Sequence, residues 1–418
     1  MRCPLRILCI SPAFVPMMDA EAFAGTKMVM ALRDLGVEFV VLCDDAILLK
    51  DEERRDTSRV WDDVRSVSIA LTAPAGPKGV ASIIAGLRYR IHGAQWVQMA
   101  VRRARQLHRE DPFDVVYSRS PPALAHVAGY HCARSLGLPW VANINDPWDW
   151  HLVPWMGRKV SRLRAMLSMY WLRKTLRTAD LLAYPCRRLK AFTESMSGVP
   201  HDAEVFPHVG WSVPQEVDKA TFHLVHAGNL HSPNRSAEGL LTGVQEFLRD
   251  RPEAQPITRI TFIGRGDAKV KPLIAEHGLA SVVSCTGKVP YEESLKWIGR
   301  ATVCVLIEAS VPEGIYLPSK FADYVTARKP VLALSPAVGT IADMLPEPGL
   351  IRVDADNPLA IARAINDFYE DFQKDALDAR EPSEGLIQKF DPPSVAASLL
   401  AALRDKGIGA VERAGPVG

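Results

Sequence analysis

Short, unbroken apolar runs alternate along this chain with stretches of helical spacing, and each run ends on a polar or glycine-bearing turn. In the first half the runs predict strands at Leu5–Ile10, Val37–Cys43, Val67–Leu71, Asp114–Ser118, Trp140–Ile144 and Asp180–Tyr184. Helices are expected between them: Thr26–Leu35 closed by Gly36, Val80–Arg109, Pro121–Leu136 closed by Gly137, Pro154–Thr178, and a short one reaching Met196. A second series follows a stretch rich in Pro and Gly. Its strands are Thr221–His226, Arg259–Ile263, Val282–Cys285, Ala301–Ile307, Val331–Ser335 and Leu350–Val353, with closing helices at Asn357–Asp371 and Pro393–Arg404. Runs apolar at every position suit strands buried on both faces, as in a parallel sheet covered by helices. The fold class expected is therefore α/β, two Rossmann-like doubly wound domains facing across a cleft. The boundaries read as an N-terminal domain over 1–205, a linker over 206–220, a second domain over 221–380, a helical segment over 381–408 and a tail over 409–418.

Composition narrows the class. A chain of 418 residues is too long for one ordinary core. Its net charge of +2 gives no whole-chain reason to expect nucleic acid. The seven cysteines show no Cys-x-x-Cys spacing, and Cys9, Cys43 and Cys304 lie in apolar runs, which suits a reducing compartment. No segment is apolar for long enough to span a bilayer, and Pro12 and Pro16 interrupt what would be a signal core, so a cytoplasmic protein is expected. Residues 155–178 mix Trp155, Met156, Leu163, Met166, Leu167, Tyr170 and Trp171 with Arg158, Lys159, Arg162, Arg164, Arg173, Lys174 and Arg177. Such a segment fits either an anionic membrane surface or an ordinary surface helix whose Arg stems cover apolar neighbours.

The chemistry gathers just after strands. Glu313-Gly314 opens a loop and Pro318-Ser319 closes it, with Ser319 as the expected cap of a helix carrying Lys320, Asp323 and Tyr324. A helix start after a parallel strand offers N–H groups to an anion, so a phosphate beside Lys320 and a sugar hydroxyl on Asp323 are expected. Gly228, Asn229 and Arg235 follow another strand, Gly264 and Gly266 the next, and Lys288 and Val289 the one after, where backbone groups suit a base edge. In the first half Gly25 stands nearly alone, so a three-glycine dinucleotide fingerprint is absent. Asp146 falls at a strand's carboxyl end, as an active-site carboxylate or as an Asx turn before Pro147. Asp354-Ala-Asp356 has the spacing of a metal-binding pair but reads better as a helix cap.

These pieces, in this order, resemble a GT-B glycosyltransferase of the family 4 group, which uses nucleotide-sugar donors. The resemblance rests on Asp114–Pro122, Trp140–Trp148, Gly228–Leu230, Gly264–Gly266, Gly287–Pro290 and Leu317–Tyr324. It implies a donor site in the second domain and an acceptor site in the first. Arg235 and Lys320 would face the donor diphosphate, Asp323 would hold the ribose and Glu313 the sugar. Asp146 would be a first-domain active-site residue, with Gly25, Thr26 and Arg119 on the acceptor or phosphate loop. It also implies retention of configuration and no metal. The acceptor expected is a glycan or glycolipid of the cell envelope, met at the inner face of the membrane. An epimerase of the same fold, or a degenerate nucleotide binder, is the alternative. Asn229, and ten positions between Glu313 and Asp323 where the family has eight, depart from its pattern.

Overall fold

Arg6–Ile10 forms the first strand, β1, in which Ile7 to Ile10 are buried, as a strand inside a covered parallel sheet must be. The structure is a computed structural model describing residues 4–44, 55–62, 64, 66–69, 81–149, 152–154, 160–230 and 234–409, with backbone alone over 81–92. The chain divides into two units. One comprises Met1–Asp56, Trp61–Phe206 and Val395–Gly418, and the other Thr57–Val60 and Pro207–Ser394.

Unit 1 is built on β1, β2 (Glu38–Cys43), β3 (Ser66–Ser68), β4 (Val115–Ser120), β5 (Trp140–Ile144), β6 (Leu181–Tyr184) and β7 (Glu204–Val205). These pair in parallel in the order β3-β2-β1-β4-β5-β6-β7. Its helices are α1 (Ala20–Asp34), α2 (Ala81–Glu110), α3 (Leu124–Leu136), α4 (Arg162–Thr178) and α5 (Arg187–Ser197). Unit 2 repeats the plan with β8 (Phe222–Ala227), β9 (Thr258–Ile263), β10 (Val283–Gly287), β11 (Val303–Ile307), β12 (Val331–Leu334) and β13 (Leu350–Val353). The parallel order is β10-β9-β8-β11-β12-β13. Here the helices are α6 (Glu238–Asp250), α7 (Asp267–Glu276), α8 (Tyr291–Arg300), α9 (Ser319–Thr326), α10 (Pro358–Gln373) and α11 (Glu384–Phe390). A last helix, α12 (Pro392–Asp405), returns the chain to unit 1, where Lys406 pairs with Asp202 at 3.3 Å.

Both sheets reverse their winding beside their first strand, between β1 and β4 and between β8 and β11. Connections diverge at such a point and leave a crevice at the strands' carboxyl ends. In unit 2 the core beneath it joins Phe222, Leu224, Val303, Val305 and Leu332 of the sheet to Leu240, Val244 and Phe247 of α6 and Ile361 and Phe368 of α10. Tyr324 completes the sheet from α9. Its hydroxyl accepts from the Ala227 N–H at 2.9 Å, beyond the last β8–β11 pair at Val225 and Cys304.

Several elements differ from the expected bounds. α1 begins at Ala20 and not Thr26, because Asp19 caps it, its carboxylate accepting the Glu21 N–H at 3.0 Å. α9 begins at Ser319 with Pro318 in the cap position, so Ser319 lies inside the helix. Asn357, accepting from the Ala360 N–H at 3.1 Å, caps α10, while Asp354 pairs with Arg352 and caps nothing. Leu71, Trp155, Met156, Arg158 and Lys159 lie outside the described residues. The stretch 207–220 belongs to unit 2, where the Gly210 N–H donates to the Phe390 carbonyl at 2.8 Å.

Candidate functional site

The switch point of unit 2 holds two cations and a carboxyl. Gly228 follows β8 at φ +147, and a Cβ there would run into the Lys320 ammonium, so only glycine permits this approach. Lys320 Nζ and Arg235 Nε are buried, and neither has a hydrogen-bond partner among the described residues. Both charges act on Glu308, 7% exposed, whose N–H donates to the Leu334 carbonyl and so continues the β11–β12 ladder by one residue. Burial lowers the Lys320 ammonium to about 7, with Arg235 pushing the same way and Glu308 opposing. Burial likewise raises the Glu308 carboxyl to about 7 against the pull of Arg235 and Lys320. His226 stays neutral, because burial and the Lys320 charge hold its imidazole well below the ordinary value. A buried ammonium without a partner, and a guanidinium whose Nε has none while its Nη1 donates to the Asn229 carbonyl at 3.5 Å, are a standing attraction for an anion.

The neighbouring candidates serve in different ways. Asn229 Oδ1 accepts from the Arg265 N–H at 2.9 Å, and the Leu230 N–H donates to the Arg265 carbonyl, so Gly228, Asn229, Gly264 and Gly266 knit the β8 and β9 loops together. Lys288 is exposed and Val289 half-buried after β10. Asp323 is 5% exposed and its Oδ1 accepts from the Trp211 N–H at 2.9 Å, so this carboxylate fixes the 207–220 stretch. Glu313 is half-buried on the loop after β11, next to Gly314, which bridges to Gly339. The carboxyl on which the two cations act is Glu308.

In unit 1 the switch point is acidic. Arg119, 4% exposed near the end of β4, donates from Nη1 to Asn143 Oδ1 at 2.6 Å and from Nη2 to Glu21 Oε2 at 3.5 Å. Asn145 Nδ2 donates to the same Glu21 oxygen at 2.5 Å. Burial raises Glu21 to about 7, against Arg119 and with Asp19 adding to the rise. Asp146, half-buried beside them, is pushed well above the carboxylate range by burial and by the Glu21 charge. The loop expected at Gly25 and Thr26 is corrected: both lie within α1, and Thr26 Oγ1 donates to the Ala22 carbonyl at 2.8 Å. Gly25 is where the Arg119 stem crosses the helix, 3.2 Å from where a Cβ would stand. Arg119 is likewise a strand residue, not a loop one.

Sequence reasoning passed over Glu308 and Glu21. Glu308 stands directly behind the apolar run of β11, and Asp19-Ala-Glu21 has the composition of a helix start, so both signals were present.

Residues 26–208 match the family model described as a glycosyl transferase 4-like domain, and residues 221–371 match that of glycosyl transferases group 1. The chain belongs to the GT-B glycosyltransferases. No curated protein matches the sequence of this glycosyltransferase. Its fold is similar to that of sucrose-phosphate synthase from Thermosynechococcus elongatus, at 15% identity and a TM-score of 0.67 over 96% of this chain and 98% of that one. HepE from Anabaena, solved with UDP and glucose, is similar at 16% identity and a TM-score of 0.66 over 96% and 100%. A UDP-N-acetylglucosamine 2-epimerase shares the fold at 10% identity and a TM-score of 0.56 over 97% of each chain. For the glycosyltransferase the strand orders and switch points supply what these likenesses alone do not, the placing of particular side chains.

Proposed function

We propose that this glycosyltransferase moves a sugar from a nucleotide-diphosphate donor held by unit 2 to a glycan or glycolipid acceptor engaged by unit 1. The observation that carries the reading is the Lys320 ammonium, buried without a hydrogen-bond partner among the described residues and acted on by the Arg235 guanidinium, at the unit 2 switch point. As the bond between sugar and diphosphate breaks, negative charge grows on the leaving phosphate. Cations already in place stabilise that charge more than the ground state, which lowers the barrier. Their charge serves in place of a metal ion, and retention of configuration follows from the family resemblance. Should the transfer invert configuration, Asp146 would be its general base toward the acceptor hydroxyl. A lipid-linked acceptor in cell-envelope assembly is supported by α4, whose exposed face is both apolar and basic. That face suits the inner surface of an anionic membrane.

Thermal stabilisation by nucleotides and nucleotide-sugars tests the donor site, beginning with UDP and UDP-glucose because HepE was solved with UDP and glucose. A ligand at a hundred times its Kd adds about 2.7 kcal/mol to folding, a shift of several degrees. Lys320→Met should abolish it. Folded protein that no nucleotide stabilises would refute the donor assignment. Release of free nucleotide when acceptor is supplied separates transfer from epimerisation, which releases none.

A further inference from the structure

Glu308 is out of character with a crevice that takes a diphosphate, since a carboxyl opposes the very charge the cations attract. Backbone links nonetheless hold it there. Its N–H donates to the Leu334 carbonyl at 2.9 Å, at the end of β11. Two residues on, the Ser310 N–H donates to the Asn234 carbonyl at 2.8 Å, which ties this stretch to the neighbour of Arg235. Lys320 is fixed from a third side, because one turn further along α9 the Tyr324 hydroxyl accepts the Ala227 N–H at 2.9 Å. Both cations act on Glu308, yet no hydrogen bond or ion pair joins it to either among the described residues. Separate elements thus bring three charged groups together without binding them to one another.

The charges do not balance in the way a donor requires. The diphosphate of a nucleotide-sugar carries two negative charges, which Lys320 and Arg235 match only while Glu308 is neutral. With Glu308 ionised, two positive charges and one negative leave a single positive charge to meet them. The other titratable groups acting on the cluster do not make up the difference, His226 being held neutral and Tyr316 bringing a phenol to Arg235. An anion arriving beside a buried carboxylate favours its neutral form.

We infer that Glu308 is a resident counter-charge of the donor site, balancing the cations before the donor arrives and neutralised by a proton taken up with the donor diphosphate. The inference rests on unit 2 holding the donor, and it adds how the site sets its charge. The proton comes from water, forms an O–H bond on the Glu308 carboxyl and returns to water when the nucleotide leaves. Burial already sets Glu308 to titrate at about 7, so the uptake falls near neutral pH. Lys320, lowered to about 7, gains a proton beside the same anion.

Isothermal calorimetry with UDP-, GDP-, ADP- and dTDP-glucose, at pH 6 and pH 8.5 in buffers of unlike ionisation enthalpy, tests this. The diphosphates of these ligands do not titrate in that range. Wild-type affinity should fall as pH rises, with about two protons taken up at pH 8.5, each costing about tenfold per pH unit. Glu308→Gln should match wild type at pH 6, bind about tenfold more tightly at pH 8.5 and take up about one proton there. Weaker binding by the variant at pH 8.5 would overturn the inference, because the carboxylate would then be serving to keep the ammonium charged. An unchanged proton count would overturn it as well. Should the variant not fold, the wild type decides, since uptake of only about one proton at pH 8.5 leaves none for Glu308. Folded wild-type protein that binds none of the four would instead strike the proposed donor site.

Discussion

Glu21 ties the acidic cluster to stability. Its carboxyl rises from 4.5 to about 7 on folding, chiefly through burial, so the folded state binds its proton more tightly than the unfolded state does. The stabilisation this gives is complete below about pH 4.5 and is lost as pH rises through 7. The shift corresponds to about 3 kcal/mol, less because a fifth of the side chain meets solvent. Glu21→Gln mimics the protonated form at every pH. Urea unfolding should find the variant gaining on wild type by about 1–3 kcal/mol between pH 4.5 and pH 8, and parallel behaviour at both pH values would show that Glu21 ionises without penalty. At this scale the sequence pointed to residues near the carboxyl ends of strands, as with Arg119, Asp146 and Gly228, yet it passed over Glu308 directly behind β11. It was silent where a side chain's partner lay far along the chain. Asp323 is the example: its spacing from Lys320 said nothing of Trp211, 112 positions away, whose N–H it accepts.

Among the elements, α4 is unlike an ordinary surface helix. Leu163, Met166, Leu167 and Tyr170, at 54%, 69%, 43% and 53% exposure, form one stripe at i, i+3, i+4 and i+7. The helix contains no carboxylate. Arg162, Arg173, Lys174 and Arg177 accompany the stripe, Lys174 standing over the Tyr130 and Tyr170 rings, while Arg164 is engaged by Asp149 at 3.0 Å. Near an anionic bilayer each such cation contributes about 1 kcal/mol, and the apolar stripe adds what salt cannot screen. The chain should therefore sediment with phosphatidylglycerol vesicles and not with phosphatidylcholine alone. Replacing the four apolar residues by serine should cut the bound fraction about tenfold and leave the remainder salt-sensitive. Wild-type protein that stays in the supernatant at low salt would end the membrane reading. Helix and strand identities were legible because apolar runs and capping glycines such as Gly137, αL at φ 69, act locally. The start of α1 was not, because Phe14, Val15 and Met17 are buried in the loop before it and hide the Asp19 cap.

Across the whole molecule the same plan occurs twice, and the difference between the copies is electrostatic. Both sheets reverse at their first strand, yet one switch point presents Lys320 and Arg235 and the other Asp19, Glu21 and Asp146 around a single Arg119. An alternating pattern repeated over two halves made the duplication legible in the sequence. The opposite charge was not, because it depends on which side chains the crossovers bring to each crevice. A polyanion should discriminate between the two copies. Hydrogen exchange with UDP should slow amides at 227–230, 264–266 and 318–324 by about tenfold or more, since a ligand bound only to the folded loop must oppose its opening. Amides at 19–21, 119–120 and 143–146 should exchange as before if UDP is held by unit 2 alone. Protection confined to that second set would reverse the assignment of donor and acceptor between the units, whatever the family resemblance implies.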